Sequence, residues 1–308
     1  MLSRIAESLF WIGRYVERAD GTARILDVHL ERLNHLPAAD QRSVAQELLG
    51  VMGSRADADE FGLTELLQSL AFDRTNATSI AGSLAAAREN ARRARETVSS
   101  SLWECLNTTY YGLSQHRKDV VGTYRFCNWV LERTAMVRGL ADTTMSHDEG
   151  WLFLVLGRSL ERADMTARML STREVHTAGM SWVNMLRCAG AYESFLRTRR
   201  TAFDEGHAAE FLLMDRLFPR SIVYALRDAD DALAKLDPSD TRVGFINDAR
   251  RIVGQARTFL EFHRTDDLMV ELPEHMERVQ KAVAQTSDAV SRKYFNRADE
   301  QAWVGEVS

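Results

Sequence analysis

Residues 11–26 read WIGRYVERADGTARIL, and residues 155–170 read VLGRSLERADMTARML. At a constant offset of 144, ten of the sixteen positions are identical, where composition alone would give about one. The pairs are Gly13/Gly157, Arg14/Arg158, Glu17/Glu161, Arg18/Arg162, Ala19/Ala163, Asp20/Asp164, Thr22/Thr166, Ala23/Ala167, Arg24/Arg168 and Leu26/Leu170. Solenoid units run to roughly 20–50 residues, so this spacing is too long for a solenoid. It predicts two helical halves, about 1–145 and 146–300, within one domain spanning 1–308. The halves would be related by duplication and an approximate twofold axis.

Helical geometry shows what the repeated letters do. At about 100° per residue, Arg14, Glu17, Asp20 and Arg24 share one face, with Gly13 and Gly21 on the same side. Ile12, Tyr15, Ala19, Ala23 and Leu26 fall near the opposite face, and Arg18 lies at the border. The second copy repeats this with Arg158, Glu161, Asp164 and Arg168 against Leu156, Ala163, Ala167 and Leu170. One reading is a solvated face whose ion pairs contribute under about 1 kcal/mol each. Exposure does not explain why the same charges recur in order. Nor does it explain Gly13 and Gly157, each weakening a helix by about 1 kcal/mol unless something approaches closely. The sharper reading has the two copies meeting near the centre in a partly buried cluster. Such a cluster fixes geometry more than it adds stability, and leaves guanidinium donors to hold a carboxylate or phosphate.

Composition fits this. The chain has 308 residues, 45% hydrophobic and 27% charged, with only 4 prolines and a net charge of −5. These values point to an all-α globular protein with no general attraction to nucleic acid. No apolar stretch approaches the roughly 18 residues of a membrane span. Arg4, Glu7 and Arg14 break any signal-peptide core, so a cytoplasmic location is expected. Cys105, Cys127 and Cys188 lie far apart, as buried reduced thiols do.

Periodicity predicts a helix over residues 3–33 with Ser3 as N-cap, a loop at 36–40, a helix at 41–52, an exposed loop at 53–62 and a short helix at 63–72. A helical pattern runs from 76 to about 115, broken at most near the Ser run at 99–101. Further helices are expected at 118–145, 149–171 and 181–201. Another has Pro219 in its first turn and is stopped by Pro238. Residues 241–263 form the next, and Pro273 opens the last, which ends near 296 ahead of a frayed tail. About ten helices and no strand make an all-α multi-helix bundle.

Motif chemistry is sparse. Gly50-Val-Met-Gly53 lacks the Lys-Ser/Thr ending of a phosphate loop. No His follows a Glu by three residues, as di-iron bundles need. The DDxxD pattern is missing around Asp228, Asp230, Asp231, Asp266 and Asp267, and there is no Gly-x-Ser-x-Gly. The dipeptide His147-Asp148 is too little for a metal site. No resident metal or cofactor is expected. Glu17 and Glu161 suit acid–base work only if burial raises one pKa, and neighbouring arginines push the other way. Arg88, Arg92, Arg93 and Arg95 crowd one helix, as a solvated face or as part of an anion-binding cleft with the repeat cluster. Arg197, Arg199 and Arg200 suit a helix C-terminus. Trp11, Trp103, Trp129, Trp151 and Trp182 suit core or interface positions.

VERADGTARILD and LERADMTARML resemble the "ER" signature of the bacterial alpha-E domain family, with Glu17-Arg18 and Glu161-Arg162 as the recurrent pair. ARENARRARETVSSSLWECLN at 87–107 and FPRSIVYAL at 218–226 resemble further signatures of that family. LERTAM at 131–136 is a weaker echo without the flanking Gly-Arg. The resemblance implies an all-helical domain that partners an ATP-grasp ligase, with transglutaminase-like or proteasome-like peptidases in the same gene clusters. It implies an accessory subunit of a peptide- or amide-forming system, with ATP and magnesium belonging to the ligase. Arg88, Arg92, Arg95 and Arg220 would add to the anion-binding surface of the cluster. The alternatives are a catalytic component that binds an anionic substrate through Glu17 or Glu161 and adjacent arginines, and a purely structural dimerisation module acting as a homodimer.

Overall fold

A computed structural model describes residues 1–35, 45, 48, 52, 66–171, 181–198, 203–238 and 242–295. Among these residues the chain forms twelve α-helices and no strand. They are α1 (Ser3–His35), α2 (Ile80–Arg93), α3 (Ser100–Gly112), α4 (Val120–Thr144), α5 (Glu149–Ser171) and α6 (Trp182–Cys188). The rest are α7 (Tyr192–Thr198), α8 (Glu205–Met214), α9 (Ile222–Leu236), α10 (Asp248–Glu261), α11 (Thr265–Val270) and α12 (Leu272–Val290).

Short polar side chains start most of them. Ser79, Ser99, Asp119, Ser181, Asp204, Ser221 and Asn247 each accept a backbone N–H from the first turn of the following helix, which satisfies donors no helical carbonyl can reach. Ser3 is not a cap. The Leu2 carbonyl already accepts from Ile5 and Ala6 at 2.9 and 3.1 Å, so Ser3 lies inside α1. Pro273 sits in the first turn of α12, where its missing N–H is harmless.

Three expected helices are shorter or broken. The pattern from 76 to about 115 splits at Ala94, where the chain turns before the Ser99 cap. The 181–201 segment breaks at Gly190, whose φ of 61° belongs to the left-handed region. There Gly190 N–H donates to Arg187 O at 2.8 Å and Ala191 N–H to Leu186 O at 2.7 Å, closing the end of α6. The segment from 241 becomes helical only at Asp248, behind the Asn247 cap. Pro219 lies two residues before the Ser221 cap rather than in the first turn of α9. Helices α8 and α11 were not anticipated; the first is apolar nearly all round and the second has six residues, so neither shows a clear period. The loops expected at 36–40 and 53–62 and the terminal tail lie outside the described residues. Of the helix expected at 41–52, Ala45, Leu48 and Met52 are described; the first two are helical and buried, and Met52 lies in a turn.

Helices α1 and α5 form the centre. Helix α1 packs on α2, α4 and α6, and α5 packs on α9 and α12. The loops entering α2 and α9 share a design. Ser79 and Ser221 bond back to the carbonyls of Asp73 and Asp215, whose side chains accept from Thr75 N and Leu217 N at 2.8 Å. Residues 73–80 read DRTNATSI and 215–222 read DRLFPRSI, four of eight identical at an offset of 142. The aliphatic faces around α1 and α5 supply the core, with Leu9, Ile12, Leu26, Leu156, Leu160 and Leu170 all inaccessible to water. Trp182 is also fully buried, while Trp11, Trp103, Trp129 and Trp151 pack on the core from its edge.

Candidate functional site

The two copies of the repeat lie side by side, parallel, in the register of their sequence offset. A Cβ placed on Gly13 would overlap the Leu154 carbonyl oxygen and come 2.8 Å from Arg158 N. One placed on Gly157 would overlap the Phe10 carbonyl oxygen and come 3.2 Å from Arg14 N. Leu154 and Arg158 are Phe10 and Arg14 shifted by 144, so the contact is reciprocal. Gly21 faces its own counterpart, with the added Cβ 2.9 Å from Met165 Cε. The glycines let two backbones approach where any side chain would hold them apart.

That approach brings the charged faces together. Arg18 of α1 grips Glu161 of α5 with two bonds, Nε to Oε1 at 2.6 Å and a terminal nitrogen to Oε2 at 3.1 Å. In return Arg162 Nε lies 2.8 Å from Glu17 Oε1. Each Glu-Arg pair therefore reads across the seam, the glutamate of one copy against the arginine of the other. The intrahelical pairs repeat as well, Arg24 with Asp20 at 2.9 Å and Arg168 with Asp164 at 2.6 Å. Glu17 is 2% exposed, Glu161 1% and Asp20 0%, so this is a buried hub and not a solvated face.

Outside that frame the two copies diverge. Arg14 bonds Glu161 and Ser287, whereas Arg158 turns to Asp142 at 3.4 Å. Asp20 collects Thr134 at 2.8 Å, Arg138 at 3.1 Å and Arg220 at 2.6 Å besides Arg24. Glu17 has Arg220 at 3.3 Å and Arg138 at 3.6 Å. Asp164 has Arg168 and no comparable crowd.

The charges respond accordingly. Burial alone would raise the Glu17 and Glu161 carboxyls. Arg162, Arg220 and Arg138 around the first, and Arg14 and Arg18 around the second, outweigh it and hold both below the usual carboxylate range. Asp20 is likewise held below its usual range, because burial is overcome by Arg220, Arg138 and Arg24. Asp164 goes the other way, raised by burial and by the Glu161 charge against the pull of Arg168. Glu17 and Glu161 are therefore permanent anions at neutral pH, suited to holding guanidiniums in place and unsuited to passing protons.

Among the described residues, Arg220 is the one other arginine singled out in the sequence that bonds the hub carboxylates. Arg88 bonds Asn107 at 3.1 Å and lies over the Trp103 and Tyr110 rings, Arg92 forks onto Glu89 at 2.7 and 2.9 Å, and Arg95 lies over Trp103. These partners tie Arg88, Arg92 and Arg95 to Glu89 and to α3 rather than to the hub carboxylates, and Arg92 lines a surface cleft with Trp11 and Tyr15 of α1. Arg133 of the LERTAM echo bonds Thr109 and the Cys105 carbonyl. Sequence reading missed Arg138. The available signal was Thr134 in the echo, which bonds Asp20, with Arg138 one turn further along the same face. His147 stacks on Trp151, and Asp148 accepts from Gly150 N. Among the described residues no group of three or more His, Cys, Asp or Glu is placed to hold a metal ion, and no helix is long and apolar enough to cross a membrane. All three cysteines are buried thiols, and burial pushes Cys105 and Cys127 up.

Across residues 1–295 the chain matches the Alpha-E family, described as a predicted alpha-helical domain with a conserved ER motif. The chain belongs to that family. In this Alpha-E protein the motif has a spatial meaning, since Glu17-Arg18 and Glu161-Arg162 are the residues that pair across α1 and α5. It is 27% identical over 257 residues to an uncharacterised protein of Mycobacterium bovis, a match covering 72% of this chain and 28% of that one. An uncharacterised protein of Mycobacterium tuberculosis is 26% identical over the same length. The match thus spans less than a third of the length of these curated relatives. No solved structure matches.

Proposed function

We propose that this Alpha-E protein is an accessory subunit of an ATP-grasp-dependent system that forms peptide or amide bonds. It docks on the ligase, which binds ATP and magnesium, and presents a rigid helical body organised on the hub. The observation that carries this reading is the state of the central carboxylates. Glu17, Asp20 and Glu161 are buried and locked as anions by arginines, which favours a scaffold over an acid–base catalyst. The relatives support a domain that works against further protein, because the match accounts for only 28% of their length. The ligase as neighbour follows from the family resemblance.

The test is co-purification of the chain with the ATP-grasp protein encoded beside it, followed by ligase assays with and without the chain. The reading expects a stable complex and a ligase whose turnover depends on the added subunit. Separate elution together with unchanged turnover would overturn it. The catalytic alternative makes a different demand: Glu17→Gln would abolish product formation without lowering the melting temperature.

A further inference from the structure

The loops entering α2 and α9 are related by an offset of 142, and the same offset carries Arg88 of α2 onto Asp230 of α9. Each of these helices packs on its successor, α2 on α3 and α9 on α10. Arg88 lies over the Trp103 and Tyr110 rings of α3 at 5.4 and 5.2 Å and donates to Asn107 at 3.1 Å. Asp230 accepts from Arg250 and Arg257 of α10 at 2.9 and 3.1 Å. The partners stand at matching positions along one helix face, 103, 107 and 110 against 250, 254 and 257. Gly254 therefore takes the place of Asn107, and a Cβ on it would meet nothing within 4 Å.

Where the first half sets two rings and an amide, the second half has a cleft of about 680 Å³. Sites for small organic ligands span roughly 300–1,000 Å³. Phe245, Phe259 and Phe262 give this cleft an apolar wall, and Phe245 is 52% and Phe262 83% exposed. Arg250, Arg251 and Arg257 line it against a single acid, Asp230. Asp230 is buried and takes one N–H from each of Arg250 and Arg257, out of the five that a guanidinium carries. It anchors both guanidiniums and leaves most of their N–H groups without an acceptor among the described residues. The Phe245 ring steadies Arg250 further, 4.2 Å from its guanidinium carbon. Arg251 has Asp248 and Arg257 has Glu261 at 3.5 Å, both acids outside the lining. A carboxylate is the group these guanidiniums already pair with, and exposed phenyl rings that share one cleft gain by covering a further ring.

We infer that the α10 cleft binds a ligand in which a carboxylate adjoins an aromatic ring. The carboxylate sits over Gly254 between Arg250 and Arg257, and the ring lies against Phe245 and Phe262. Such a group is either a free aromatic acid or the end of a peptide that closes on an aromatic residue. The cleft shares no residue with the hub, so failure of this inference leaves the accessory-subunit reading untouched.

Saturation-transfer NMR on the full chain measures its affinity for 3-phenylpropionate, 3-phenylpropionamide and propionate. Saturable binding of 3-phenylpropionate is expected, with the uncharged amide and the ringless acid each weaker by about tenfold or more. The tripeptide Gly-Gly-Phe separates the two sources. Tighter binding than 3-phenylpropionate assigns a peptide end, and equal or weaker binding assigns the free acid. Arg250→Gln is expected to weaken binding about tenfold, the loss of a charged hydrogen bond. Gly254→Leu fills the cleft without removing a charge and is expected to abolish binding, whereas Gly139→Leu, at an equally open glycine of α4, leaves affinity unchanged. Both leucine variants are expected to melt no lower than the wild type, because each replaces a glycine within a helix. No saturable binding by the wild-type chain, an amide that binds as tightly as the acid, or binding that survives Gly254→Leu would each overturn the inference.

Discussion

Glu161 receives Arg14 and both ends of the Arg18 fork, and it is 1% exposed. Removing one charge from such a group strands the others, and the cost of breaking a buried pair is about 3–5 kcal/mol. Glu161→Gln is expected to destabilise by that order in urea unfolding, and Asp20→Asn similarly. Asp164→Asn is expected to cost under about 1 kcal/mol, as for a partly exposed intrahelical pair, because burial already disfavours its charge. The three are equivalent or adjacent in the repeat, so equal losses would contradict the divergence described above. The sequence shows Glu17, Asp20, Glu161 and Asp164 through their repetition. It does not show which is over-supplied with arginines, because Arg138 lies beyond a weak echo of the repeat and Arg220, named for the cluster along with Arg88, Arg92 and Arg95, is distinguished from them only by the folded loop before α9.

At the scale of the helix, glycine separates contact from propensity. Gly13 and Gly157 sit where a methyl group would strike the partner backbone, so Gly13→Ala and Gly157→Ala must move α1 and α5 apart. Each is expected to lose at least about 2 kcal/mol, as overpacking does. Gly139 in α4 and Gly254 in α10 have nothing within 4 Å of an added Cβ, and alanine there is expected to gain about 0.5–1 kcal/mol. Thermal melts of the four variants should divide two and two; a uniform gain would mean that α1 and α5 do not touch. The long helices α1, α4 and α5 were legible because their periodicity persists over many turns. The turn before α3 was legible at the Ser99–Ser101 run but begins earlier, at Ala94, and the break at Gly190 was not legible, because tertiary packing decides where the chain turns. Helices α8 and α11 are too apolar or too short to carry a readable period.

For the molecule as a whole, the hub ties stability to pH. Glu17, Glu161 and Asp20 have folded pKa values below their ordinary 4.5 and 3.8. The folded state thus binds fewer protons than the unfolded state as pH falls past those values, and stability falls with it. Asp164 has the opposite sign: its contribution is present below about 3.8 and fades as pH rises through its raised folded value. Three groups outweigh one, so the urea midpoint is expected to be flat between about pH 7 and 5.5 and to drop below about pH 4.5; a midpoint that rises on acidification would contradict this. The all-α class and the repeat were readable from sequence, whereas the convergence of Arg138 from α4 and Arg220 from the loop before α9 on Asp20 emerges only in the folded molecule. The account stands on the meeting of residues 144 apart, and a disulfide tests that most directly. A Cβ on Gly21 lies 3.8 Å from Met165 Cβ, the separation of a relaxed disulfide at about 3.8 Å. In a Cys188→Ser background, which removes the thiol that lines one small cleft with Gly21 and Met165, Gly21→Cys with Met165→Cys is expected to close a 21–165 bridge under mild oxidation, seen by peptide mass mapping. Two free thiols at 21 and 165 in the folded, oxidised protein would contradict it.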